Sequence, residues 1–107
     1  MAEPTLIQIF GAGATQTATA ITILKADLPT LTPSATNTAE SLLAGVLIKA
    51  SSVLTVANRT ANPDQSIAIE AGYDQLAYRG TDPFYQSALN VTLQKSNSAA
   101  TIDADDY

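Results

Sequence analysis

The sequence contains no cysteine, no histidine and no tryptophan. Without cysteine there is no disulfide framework and no thiolate metal site. Without histidine the commonest general base and metal ligand are missing. Charge is scarce too, at 14% of 107 residues. The basic residues Lys25, Lys49, Arg59, Arg79 and Lys95 are spread singly against ten acidic ones, for a net charge of −5. Phosphate recognition needs clustered Lys and Arg, so neither nucleic acid nor an anionic membrane surface is an expected partner. No stretch approaches the roughly 20 apolar residues of a membrane span. The opening MAEPTLIQIF carries Glu3 where a signal peptide would want positive charge, and its apolar run is short. These features predict a protein made and kept in a cytosol unless an assembly carries it out.

What the sequence has is small apolar side chains. Hydrophobic residues make up 46%, but aromatics only 6%. A core of Ala, Val, Ile and Leu buries less area per residue than one built on Phe and Trp. The length suits one domain with one core, of modest stability alone and completed by partner surfaces. The clearest periodicity is Asn37 to Thr55, where Ala39, Leu42, Leu43, Val46, Leu47, Ala50, Val53 and Leu54 repeat at helical spacing. Asn37 is the expected N-cap, with Glu40 three residues on completing a capping box. Gly45 inside this helix predicts a close approach of another backbone, and Ile48, off the main stripe, predicts cover on a second side.

The rest of the chain reads as extended or irregular. Residues 1–14 are an arm, with Leu6, Ile7, Ile9 and Phe10 as its apolar run and GAGA as a flexible joint. The arm either joins its own domain or docks on a neighbour. Its glycines lack the spacing and the following Lys of a phosphate loop. Residues 15–95 form the domain. Thr15 to Lys25 is a β-branched strand candidate, and Ala26 to Pro33 a proline-held connector. Ala57 to Gln65 is a polar loop with a turn at Asn62-Pro63-Asp64. Ser66 to Ala71 is a strand; Leu76 to Arg79 either pairs with it as a hairpin or continues it past a bulge. Tyr85 to Lys95 is the cleanest strand, with Tyr85, Leu89, Val91 and Leu93 on one face and Gln86, Asn90, Thr92 and Gln94 on the other. Residues 96–107 are an acidic tail. One α+β domain follows: a main amphipathic helix on a small, mostly antiparallel sheet, with extended N- and C-terminal segments.

The chemistry-bearing residues do not converge. Asp103, Asp105 and Asp106 lack the ligand number and glycine turn of a calcium loop and read as a solvated or docking tail. Asp64, Glu70, Asp74 and Asp82 could in principle supply a carboxylate pair, but nothing in the pattern places two on one face. Asn58 and Asn90 open glycosylation sequons that match by chance in a chain without a leader. No enzyme, metal or cofactor is therefore expected. Tyr73, Tyr78, Phe84 and Tyr85 gather near the hairpin, either as the bulky end of the core, the favoured reading, or as an anchor patch at an interface. With Leu6, Ile7, Ile9, Phe10 and the terminal Tyr107 they are the interface candidates.

From Thr15 to Ala44, TQTATAITILKADLPTLTPSATNTAESLLA, the chain resembles small structural proteins of tailed bacteriophages, especially those of cyanobacteria. NPDQSIAIEAG (Asn62 to Gly72) and TIDADDY (Thr101 to Tyr107) fit the same likeness. The resemblance carries no catalytic residue. It implies a virion component, foremost a capsid decoration (cement) protein that contacts the major capsid protein or other virion proteins in many copies. A tail, neck or baseplate component is the nearest rival, and a cytosolic adaptor domain a further one.

Overall fold

Thr5 opens the first helix. Its side-chain oxygen accepts from the Gln8 N–H while the Gln8 side chain accepts from the Thr5 N–H, a reciprocal cap that starts α1, Leu6–Phe10. The computed structural model describes residues 3–95 and 101–107. The run Leu6 to Phe10 is thus one helical turn rather than an extended arm: Pro4 precedes the cap and breaks nothing. α1 packs on α2 (Ala39–Ser51), where the Lys49 ammonium donates to the Gln8 carbonyl at 3.0 Å and Ile9 lies against the core.

The GAGA joint is held, not loose. The Gly13 N–H donates to the Asp27 carboxylate at 2.8 Å. Gly11 sits at φ +115°, where a Cβ would come within 2.4 Å of the Asp27 Cβ, so no other residue fits there. Asp27 belongs to a short 3₁₀ turn, Lys25–Asp27. Before it, Thr15 to Lys25 is not one strand but two short ones, β1 (Thr15–Gln16) and β2 (Ile21–Thr22), paired antiparallel. The Thr17 hydroxyl accepts from the N–H of Ala20 and closes the turn between them.

α2 begins two residues later than Asn37. Thr38 is the N-cap, accepting from the Ser41 N–H, while Asn37 bonds to Ser34 and Thr32 in the preceding loop. The helix buries Gly45 and Ala50, and the Leu28 side chain lies where a Gly45 Cβ would meet it at 3.3 Å. The close approach at Gly45 is thus a side chain, not a backbone. Leu43, predicted to face the core, is 59% exposed: the elements crossing α2 cover only one edge of its broad apolar stripe. Ser51 and Ser52 hydroxyls donate to the carbonyls of Ile48 and Lys49, and the helix stops there. Thr55 then caps α3 (Val56–Ala61) through the Asn58 N–H, where the sequence suggested a loop.

From Ser66 to Gln94 the chain forms a two-stranded antiparallel ribbon. β3 (Ile67–Ala71) pairs with β6 (Leu89–Leu93), and β4 (Gln75–Arg79) with β5 (Asp82–Gln86). Gly80 and Thr81 make the turn, with Gly80 at φ +64° in the first loop position, as a type II′ turn requires. The core sits at the ribbon's root, where Ala50, Leu54 and Ile69 cluster with Ile9 and Ile67 around them. The Ile69 N–H donates to the Leu54 carbonyl at 2.7 Å. Buried Gln65 bridges the carbonyls of Thr55 and Ile67. On the far side the Arg59 guanidinium of α3 donates to the Thr92 hydroxyl at 2.8 Å. The architecture is α+β, as the sequence predicts, with one longer helix and small antiparallel sheets.

Candidate interaction face

The ribbon carries one continuous apolar face, and a bulge makes it possible. In the sequence the apolar positions run Ile67, Ile69, Ala71 and then change phase to Leu76 and Tyr78. The pairing changes phase with them. Ala71 lies opposite Leu89 and Gly72 bonds to Ala88, but Gln75 lies opposite Gln86. Tyr73 and Asp74 therefore share the single residue Ser87, a β-bulge. Beyond it Leu76 faces Tyr85 and Tyr78 faces Pro83. Because cross-strand partners share a face, Ile67, Ile69, Leu76 and Tyr78 line up with Leu93, Val91, Tyr85 and Pro83.

Only the β3 side of this face is covered, at the root, while Leu93 of β6 beside it is 37% exposed. Ile69 is 6% exposed, whereas Val91 opposite it is 44%, Leu76 64%, Tyr78 66% and Tyr85 71%. The aromatic cluster is thus no core: Tyr73, Tyr78, Phe84 and Tyr85 are all exposed. The opposite face is mostly polar beyond its root, where Ala68 is buried: it carries Glu70, Gln75, Gln86 and Asn90, and the Arg79 guanidinium stacks on the exposed Phe84 ring at 4.7 Å. The apolar face has one carboxylate, Asp74, which accepts from the Tyr85 hydroxyl at 2.7 Å. That hydrogen bond, followed by the carboxylate's charge and slight desolvation, raises the Tyr85 pKa above the usual tyrosine value.

The remaining candidates are scattered. Of the arm residues, Ile7 is exposed, while Leu6, Ile9 and Phe10 are half-buried within their own domain. Tyr107 is half-buried at the end of a 3₁₀ turn, Ala104–Asp106. Asp106 pairs with Lys95 at 2.7 Å and Asp103 accepts from the Asp105 N–H at 3.0 Å, so two of the three tail acids serve the chain itself. Residues 96–100, the start of the tail, lie outside the described residues.

Among the described residues no paired carboxylates meet across a cleft. Glu70 and Asp74 lie on opposite faces of the ribbon. Glu70 and Asp82 share the polar face, but eight residues of strand separate Asn90, Glu70's partner, from Asp82, about 26 Å. An open cleft of about 440 Å³ beside Pro4, Gln8, Asn58 and Gln65 has Glu3 as its one titratable lining group. Among the described residues no group of three His, Cys, Asp or Glu side chains is placed to hold a metal ion, and no helix is long and apolar enough to cross a membrane.

The signal that locates the face was present in the sequence: the phase change in alternation across Gly72 to Gln75. What the sequence could not supply was which half of the face the body would cover. No protein-family model, no curated protein and no solved structure matches this chain.

Proposed function

We propose that this protein is a structural, non-catalytic component of a phage virion, a decoration protein that stabilises the capsid through protein–protein contacts. The observation that carries the reading is the uncovered apolar face of the ribbon, from Leu89 and Val91 at its middle to Leu76, Tyr78 and Tyr85 at its tip. Proteins that act alone rarely expose a contiguous apolar surface of this kind, and such surfaces mark interaction sites. The molecule's size supports the same reading. Its accessible surface is 7756 Å², about 2,000 Å² more than a compact chain of its mass exposes. The resemblance of Thr15 to Ala44 to phage structural proteins supplies the kind of assembly. A tail or baseplate position would use the same face.

The test is to mix the purified chain with particles lacking it and separate them on a gradient. The wild-type chain is expected to travel with the particle in stoichiometric amount. Leu76→Ser with Tyr78→Ser, both exposed at the ribbon's tip and away from the core cluster, should reduce binding by about five- to thirtyfold, as the loss of roughly 1–2 kcal/mol of apolar contact implies. Equal binding by that variant, or failure of the wild type to bind any particle, would refute the reading. Imaging of the loaded particle assigns head or tail. Capture in a small defined complex with a host protein would favour an adaptor instead.

A further inference from the structure

The two edges of the ribbon's tip are unlike. With a two-residue turn, Arg79 and Asp82 form the closing hydrogen-bonded pair, and alternation makes Tyr78–Pro83 and Leu76–Tyr85 the non-hydrogen-bonded pairs. The backbone groups of those four residues point outward, away from the partner strand. On the β5 edge Pro83 has no N–H to offer and Asp82 flanks it, which are devices that keep an edge from recruiting another strand. On the β4 edge Leu76 and Tyr78 each offer an N–H and a C=O. Every β4 residue except Ala77 is exposed. From Gln75 to Tyr78 this edge carries no proline and no charge.

We infer that the β4 edge pairs with the β4 edge of a second copy of this chain, antiparallel and centred on Ala77, so that two ribbons form one four-stranded sheet. The segment is self-complementary in that register. Leu76 falls opposite Tyr78 of the second copy and Gln75 opposite its Arg79, each twice, and no like charges meet. The charge of the whole molecule favours the tip as the meeting point. The chain carries −5, yet Gln75–Gln86 holds only Arg79 and Asp82 and is neutral, so two acidic molecules approach there with least repulsion. Pairing by edges leaves the apolar face open and doubles it, with both copies of Leu76, Tyr78, Pro83 and Tyr85 on one side of the sheet. The dimer therefore goes beyond particle binding and is tested without any particle.

The sequence has no cysteine, which makes Ala77→Cys a specific probe. At a two-fold axis through a non-hydrogen-bonded pair, the Cα atoms lie about 4.5 Å apart, within disulfide range. On mild oxidation the full-length Ala77→Cys chain is expected to run at twice its mass within minutes, many-fold faster than Thr81→Cys at the turn. The unsubstituted chain should sediment as a dimer at micromolar concentration. Tyr78→Pro removes an outward N–H and leaves the hairpin ladder whole, so it should sediment as a single chain with an unchanged circular dichroism spectrum. Equal cross-linking of the two thiol variants, or a wild-type chain that sediments as a monomer, would overturn the inference, as would cross-linking of Ala77→Cys to another protein in place of itself. If Tyr78→Pro melts the hairpin, the two thiol variants decide alone. A chain that binds particles as a monomer would refute the dimer and leave the proposed function standing.

Discussion

Leu54 and Leu43 come from the same apolar stripe and have opposite fates. Leu54 is 5% exposed at the centre of the core, and Leu43 is 59% exposed. Leu54→Ala is therefore expected to cost about 2–5 kcal/mol, as core truncations do, while Leu43→Ala should stay within about 0.5 kcal/mol of wild type. Denaturant melts of the two variants check this, and similar losses in both would mean that α2 is covered on both sides. Residue chemistry at the ribbon is legible in Tyr85. Its neutral hydroxyl donates to Asp74, so the folded state holds the proton beyond the usual pKa of about 10. The contribution of this contact is complete below that value and is lost as pH rises through the raised one. Asp74→Asn should return Tyr85 toward ordinary titration, which an absorbance titration of the phenolate band reads against a Tyr85→Phe reference. An unchanged titration curve would show that Asp74 is not the cause.

At the scale of elements, the legible parts were those with a strong local pattern. The stretch from Tyr85 to Lys95, read as one strand, is divided between β5 and β6 at Ser87 and Ala88 yet keeps the faces its alternation implies, and the Asn62-Pro63-Asp64 turn stands where its residues place it. The helix α1 was also written in the sequence, as Thr5 followed three residues later by Gln8, but Pro4 and the short apolar run suggested an arm. Thr55 hid the start of α3 in the same way: a threonine hydroxyl three residues ahead of a free N–H is a common pattern and specifies a helix only when tertiary contacts hold it. Thr15 to Lys25 failed as one strand because the Thr17 hydroxyl offered its backbone a turn instead. The bulge was readable as an alternative and not as a certainty, since its register depends on the far strand. Its effect can be tested by length. Deleting Tyr73 brings Asp74 alone opposite Ser87 and keeps Leu76 and Tyr78 on the face of Ile69. Inserting a residue after Ser87 also makes a regular ladder but turns the tip over. The deletion is expected to keep particle attachment and the insertion to weaken it tenfold or more, with ladder amides protected from hydrogen exchange in both. Equal attachment would show that the continuity of the face is irrelevant.

The whole molecule is extended for its length. Its radius of gyration is 16.1 Å, against about 13 Å for a compact domain of this size. With so small a core, the body is expected to depend on its N-terminus for stability. Ile9 packs on the core cluster and Lys49 ties α2 to the Gln8 carbonyl. Removing residues 1–10 is expected to destabilise the domain by about 1–3 kcal/mol, the scale of one uncovered apolar side chain with its contacts, and to lower its melting temperature. A truncated chain that melts with the full one would return these residues to the role of an arm for other partners. The sequence could not distinguish the two, because the same apolar run serves either, and only the position of α2 decides which surface it meets.

The two-residue turn at Gly80 and Thr81 bears on how quickly the protein folds. Every rung of the ribbon joins residues within the single stretch Ser66 to Gln94, so it can zip from the turn without first closing a long loop, on the microsecond scale of isolated hairpins. The core at the root needs distant partners, Ile9 and Leu54 with Ile69, and comes later for that reason. Gly80 at φ +64° would then act in the folding transition state, while Leu54 acts after it. In stopped-flow experiments Gly80→Ala should mainly slow folding, and Leu54→Ala should mainly speed unfolding. The reverse assignment would mean that the body nucleates first and the ribbon grows from it.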